Sequence, residues 1–378
     1  MGNEMRQLLK FAAESMADLE KMYSGAFEKG MQVIDGNTLE GSHFLPFTPH
    51  LPAFIGLESG ELDLQHLKQL LLVNYPADMS VYILHGEDQQ GWSWKTIKIS
   101  EIDTIHLPTR CLFVPAGQAG SSLEEFMEVI AHLRAPDGCP WDRKQTHSSL
   151  RPYLLEETYE ALDALDRGDL VDLQEELGDI LLQITLHAQI ANENGRFTIA
   201  NVLSGISNKI ISRHPHVFGD VTVRDDKDVV KNWEKLKEIE RAENGRDQGK
   251  GLLDGIPSIL PALSQAQVIQ DRAARVGFDW PKIAPVVDKV MEEMQEVKDA
   301  PTEKERAGEL GDLLFAVVNL VRWYKVDAES ALRQTNNKFR RRFAYLEEHS
   351  KAAGKELPKM TLEEMDALWE EAKGLEKS

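Results

Sequence analysis

The sequence predicts a mainly α protein: two tandem all-α helical modules behind a small N-terminal α/β segment. Three observations predict it. From Ser121 onward, long stretches such as 170–190 and 308–322 repeat apolar residues at helical spacing. One ordered set of motifs occurs twice in that region. Between residues 31 and 117, by contrast, short apolar and β-branched runs are punctuated by glycine and proline.

Residues 1–30 read as an amphipathic helix, with Leu8, Leu9, Ala12 and Met16 at helical spacing. Strand-like runs follow at 53–57, 81–84 and 94–99, with a helical run at 64–73. This segment ends near Gly117 and Gly120. Ser121 and Ser122, followed by Glu124 and Glu125, mark a helix start. The Gly- and charge-rich stretch ENGRDQGKGLLDGIP, residues 243–257, separates the two helical modules. The expected domains are therefore 1–117, 121–242 and 258–378, the last two joined by the linker.

The chain has 378 residues, 43 basic and 63 acidic side chains, and a formal net charge of −20. An apolar fraction of 42% supports real cores. The acidity, spread along the chain, argues against nucleic-acid or anionic-membrane partners, which need a basic surface. It would also repel a polyphosphate substrate unless cations intervene. Two cysteines, Cys111 and Cys139, make no disulfide framework, so a cytoplasmic location is expected. The first residues form no signal peptide, and no run of 18 apolar residues occurs.

The repeat is specific. The first copy carries Trp141, Glu156-Glu157-x-x-Glu160, Glu176-x-x-Asp179, Asn208-Lys209-x-x-x-Arg213 and Trp233. The second carries Trp280, Glu292-Glu293-x-x-Glu296, Glu309-x-x-Asp312, Asn337-Lys338-x-x-x-Arg342 and Trp369, in the same order. Glu-Leu-Gly-Asp stands verbatim in both. A unit of this size points to domain duplication rather than a solenoid.

In a helix, Glu157 and Glu160 share a face, as do Glu176 and Asp179. Antiparallel neighbouring helices would bring all four together at the edge of an apolar core. Unpaired carboxylates there are costly. A divalent cation relieves that cost, and all-oxygen ligation suits Mg²⁺, with Mn²⁺ as a substitute. Glu293, Glu296, Glu309 and Asp312 repeat the pattern. One EExxE motif is ordinarily a solvated helix face; its recurrence with the downstream cations favours metal. Lys209 and Arg213, and Lys338 and Arg342, lie at i and i+4 and can clamp phosphates. Either pair alone reads more readily as a surface salt-bridge helix. Histidines are not shared by the two copies, so none is expected to be obligatory. Cys139 reads as a buried small hydrophobe.

The runs CPWDRKQTHSSLRPYLLEETYEALDAL, DLQEELGDILLQI, NKIISRHPHVFGDV and GLLDGIPSILPALSQAQVIQDRAARVGFDW resemble the MazG nucleoside triphosphate pyrophosphohydrolases over about residues 121–374. The resemblance implies bundle-type all-α modules and Mg²⁺-dependent hydrolysis of ribo- and deoxynucleoside triphosphates to the monophosphate and pyrophosphate. It implies homodimers whose helices shape each site jointly. Carried over, the metal ligands are Glu157, Glu160, Glu176 and Asp179, then Glu293, Glu296, Glu309 and Asp312. Glu157, Glu160, Glu293 and Glu296 are the candidate catalytic carboxylates. Lys209, Arg213, Asn337, Lys338 and Arg342 would hold the triphosphate, with Trp233 or Trp369 near the nucleotide. Water would attack the α-phosphorus in line. Two other readings stay open: a narrow-specificity, dUTPase-like pyrophosphatase, and a non-catalytic dimerisation or effector-binding scaffold.

Residues 30–117, with VNYPADMSVYIL and SEIDTIHLPTRCLFVPAG, are similar to the C-terminal half of a tetrapyrrole (corrin/porphyrin) methylase domain. The Gly-rich S-adenosylmethionine contacts of that family have no counterpart here. A packing or regulatory role is expected rather than methylation.

Overall fold

The computed structural model describes residues 3–23, 30–57, 63–87, 91–105, 109–225, 228–229, 232–233, 236 and 251–376. Residues 243–250 of the expected linker lie outside these. The chain separates into two compact units, Met1–Thr158 with Leu177–Leu203, and Tyr159–Glu176 with Ser204–Ser378.

The first unit opens with α1 (Asn3–Met22), β1 (Gln32–Asp35), β2 (Ala53–Gly56), α2 (Leu64–Leu72), β3 (Ser80–Glu87), β4 (Gly91–Lys98) and β5 (Thr109–Val114). The strands form one sheet in the order β1-β2-β5-β3-β4. β1 and β2 are parallel and the other pairs antiparallel. Side chains alternate between faces, as strand geometry requires. Ile55, Ile83 and Leu112 pack with Leu67 and Leu71 of α2. Phe54, Leu84 and Phe113 pack with Ala12 and Leu19 of α1. Three strands were expected and five are present among the described residues. β1 is only four residues long and ends in Asp35. β5 lies centrally and is covered on both faces, so Cys111–Val114 reads as a continuous apolar run without alternation.

Ser122 caps α3 (Leu123–Arg134), its Oγ accepting from the Glu125 backbone N–H at 3.2 Å. The same hydroxyl lies 2.9 Å from His50 Nδ1, which lies 2.6 Å from Thr48 Oγ1. These contacts tie the α/β segment to the first helix behind it. α4 (Pro140–Arg143), α5 (His147–Arg167) and α6 (Leu170–Glu193) follow. Cys139, expected to be buried, is half-buried just before Pro140. Ile130 of α3, Leu150 of α5 and Leu186 and Ile190 of α6 form a shared core. Above it, buried Arg134 makes a forked pair with Glu193, at 2.8 Å and 2.7 Å.

The second unit takes in the end of α5, from Tyr159, and the start of α6, to Glu176. Gly168, at φ +69°, stops α5 in the left-handed region that favours glycine. Asp169 then caps α6, accepting from the backbone N–H groups of Val171 and Asp172. α7 (Ile199–Arg213) and α8 (Pro215–Phe218) complete the first copy. The second copy comprises α9 (Ala262–Arg275), α10 (Ile283–Asp299), α11 (Glu303–Trp323), α12 (Ala328–Ala352) and α13 (Leu362–Leu375). Thr302 caps α11 by accepting from the Glu305 backbone N–H, and its hydroxyl donates to the Glu305 carboxylate at 2.6 Å. α12 holds the tip of α5: Arg333 Nε donates to Asp166 at 2.7 Å, and Asn337 Nδ2 donates to Asp163 at 3.0 Å. No described helix is long and apolar enough to cross a membrane.

The Arg134–Glu193 pair sets a stability test. Arg134 and then Gln189 hold the Glu193 carboxyl below the usual range against the opposing effect of burial. Its contribution is therefore full above the ordinary glutamate range and lost as pH falls through the lowered value. Arg134→Ala should cost on the order of 2 kcal/mol near neutral pH. Denaturant melts repeated at acid pH should show the difference from the native chain shrinking.

Candidate active site

α10 and α11 are joined by residues 300–302 and pack against each other. The i, i+3 spacing puts Glu293 and Glu296 one turn apart on α10, facing Glu309 of α11. One oxygen from each of the three lies within 4.8 Å of the others. Glu293 is 5% exposed. Its Oε1 meets Lys289 Nζ at 2.7 Å, and Lys289 also reaches Glu292 at 2.8 Å. The Glu293 Oε2 is buried with no hydrogen-bond partner. Loss of hydration, and then the charge on Glu293, pushes the Glu296 carboxyl up. Hydrogen bonds to Glu292 and then Glu293 push Lys289 up.

Three converging carboxylates against one ammonium leave an excess of negative charge and an open oxygen. Only oxygen donors are offered. That set fits a hard divalent cation. Asp312, the fourth expected ligand, stands on the wall of an adjoining cavity of about 470 Å³, which Glu293 and Lys289 also line.

In the first copy, Glu157, Glu176 and Asp179 likewise bring one oxygen each within 4.8 Å of the others, on the hairpin of α5 and α6. Glu160 lies outside that group and is exposed.

The expected phosphate-binding residues fall as follows. The Arg213 guanidinium lies 5.6 Å from the centre of the Trp233 ring, and that of Arg342 lies 5.5 Å from the centre of Trp369. The duplicated Arg–Trp pairs thus make the same cation–π contact. Arg342 also donates through Nε to Glu376 at 2.9 Å. Hydrogen bonds from Arg342, with Arg341 and Lys338 adding charge, hold the Glu376 carboxyl down. The middle of α12 therefore already seats an anion. Lys209 and Lys338 are exposed, while Asn337 is committed to Asp163.

The MazG nucleotide pyrophosphohydrolase domain matches residues 145–218 and 284–345. A Thermotoga maritima protein named nucleoside triphosphate pyrophosphohydrolase/pyrophosphatase MazG is 45% identical over 257 residues, 68% of this chain and 98% of that protein. The chain belongs to the MazG nucleotide pyrophosphohydrolase family. An Escherichia coli K12 protein named nucleoside triphosphate pyrophosphohydrolase is 44% identical over 67% of this chain and 97% of its own length. A Bacillus subtilis protein, YabN, is 43% identical over 359 residues, 92% of this chain and 72% of that protein, and so reaches into the α/β segment as well. The two MazG matches span both carboxylate groups and end before Trp233 and Trp369.

Sequence reasoning missed Lys289 and Glu376 in this MazG site. Lys289 had a signal, since it stands four residues before Glu293 on one helix. Glu376 had none, because only folding brings it to Arg342.

Mg²⁺ or Mn²⁺ should raise the melting temperature of the protein by a few degrees at saturating concentration. Glu293→Gln should remove most of that gain. Calorimetric melts of both proteins with and without the ion check it, and an equal gain in the variant would refute the ligand assignment.

Proposed function

We propose that this chain hydrolyses nucleoside triphosphates to the monophosphate and pyrophosphate, with water attacking the α-phosphorus, and that the second copy holds the principal site. One observation carries the reading. Glu293 is buried, keeps one oxygen open, and stands in a three-carboxylate group on the wall of a cavity roomy enough for a nucleoside. The relatives named as pyrophosphohydrolases support the reaction type.

A divalent cation bound there, Mg²⁺ or Mn²⁺, would neutralise the carboxylates and polarise phosphate oxygens. The chain's own residues supply the rest. Lys289 holds Glu292 and Glu293 in place. Lys338 and Arg342 take the outer phosphates, which displace the Glu376 carboxylate from the guanidinium. Trp369 lies against Arg342 and limits its rotamers. Glu296, which stands beside Glu293 and Glu309 on the exposed side of the group, is placed to take the proton from the attacking water. Exposed Met291 and Met294 of α10 and Leu310 and Leu314 of α11 suit burial against a second copy, so we also propose a homodimer.

Each nucleoside triphosphate incubated with Mg²⁺ should give monophosphate and pyrophosphate, with no diphosphate intermediate. Glu293→Gln should lower kcat/KM on the order of 10²-fold or more. Glu157→Gln should cost much less. Pyrophosphate release that survives the double variant would overturn the assignment.

A further inference from the structure

The cavity beside Glu293 has polar groups that the hydrolytic chemistry does not use. Gln270 of α9 is 7% exposed. Its Nε2 donates to the Phe315 carbonyl at 2.8 Å. A carbonyl can only accept, so this contact sets which way the amide points. The Gln270 Oε1 is then a buried acceptor on the cavity wall with no hydrogen-bond partner. Asn319, 8% exposed, stands one helical turn beyond Phe315 on α11. Its Oδ1 accepts from Arg322 Nε at 2.9 Å, which leaves its Nδ2 to act as a donor on the same wall. Phe278, which is 83% exposed, and Trp280 border the space with aromatic rings.

An apolar cavity with a few convergent polar groups is the ordinary form of a small-molecule pocket. An acceptor and a donor side by side with aromatic faces match the edge and plane of a nucleobase. The remaining oxygens on the wall belong to Asp279, Glu293 and Asp312, all acceptors. Lys289 and Arg322, the cations on the same wall, are paired to Glu293 and Asp279, while the Gln270 oxygen stands open to an amino edge.

We infer that this cavity takes the nucleobase of the substrate and that Gln270 accepts a hydrogen bond from its exocyclic amino group. The second copy then favours a base that presents an amino group to Gln270, adenine among them, over the same base without it. The inference rests on the pyrophosphohydrolase reading of the adjoining carboxylates, and it makes Gln270 a specificity residue rather than a catalytic one.

The test compares ATP with purine riboside triphosphate, which lacks only the 6-amino group, in the native chain and in Gln270→Leu. The native chain should prefer ATP in kcat/KM by on the order of tenfold or more, because binding the analogue leaves a buried acceptor unpaired. Gln270→Leu should bring the two substrates to within about twofold, through KM rather than kcat. Equal use of the two by the native chain, or a preference that survives Gln270→Leu, overturns the inference. Calorimetric binding of AMP and purine riboside monophosphate to the native chain needs neither turnover nor a folded variant, and a difference in favour of AMP is expected. If no triphosphate is cleaved, the hydrolytic reading fails, and the monophosphate comparison still decides the pocket.

Discussion

Like charges brought together at the edge of an apolar core are the constraint on which this molecule depends. Glu293, Glu296 and Glu309 repel one another, and nothing in an isolated helix would keep them close. The hairpin of α10 and α11 holds them there. Its turn is secured by Thr302 capping α11 and by the Arg306 guanidinium donating to the Ala300 carbonyl at 3.2 Å. Lys289 offsets part of the repulsion from within the same helix. The rest is left as an attraction for an external cation. A site of this kind is held by packing that has been settled elsewhere, which is why its neighbours are apolar and its own side chains are not.

Duplication supplied the scaffold twice, and the two copies have parted in their surroundings. Four residues before Glu293 stands Lys289; four residues before Glu157 stands Tyr153, which packs edge-on to Trp141 with ring centres 6.4 Å apart. The first carboxylate group therefore lacks a helix-borne ammonium at that position. The tip of the first hairpin has a structural use instead. Burial alone would raise the Asp166 carboxyl, yet hydrogen bonds from Arg333 and Gln334 bring it down, so α12 grips α5 through a charged pair. Asn337 is occupied by the same grip. The repeated Arg–Trp contacts show what duplication preserved, and Asp166 shows what one copy lends to the other.

The legible part of the sequence was whatever repeats or has a period. Helical periodicity marked the long helices, and Ser122 with Glu125 marked the start of α3 because capping is a local interaction. The Glu-Leu-Gly-Asp repeat pointed to both carboxylate groups. Illegible were features assembled across distance. The cavity draws residues from Leu253 to Arg322, each ordinary in its own segment. Gln270 sits on an amphipathic helix where a glutamine attracts no notice; only the Phe315 carbonyl opposite makes its oxygen a fixed acceptor. The central strand β5 was hidden for the opposite reason. Burial on both faces erased the alternation by which an exposed strand is recognised.

The charge balance looks different once these places are separated. A net charge of −20 describes the far field, and beyond about 8 Å that field is largely screened at physiological salt. Binding is decided at shorter range. The run Lys338-Phe339-Arg340-Arg341-Arg342 on α12 concentrates four cations in five residues, and two of its arginines already bind the Glu376 carboxylate. An anion is thus seated within an acidic protein without help from its overall charge. A triphosphate arriving with bound cations would present positive charge to the carboxylates and phosphate oxygens to α12.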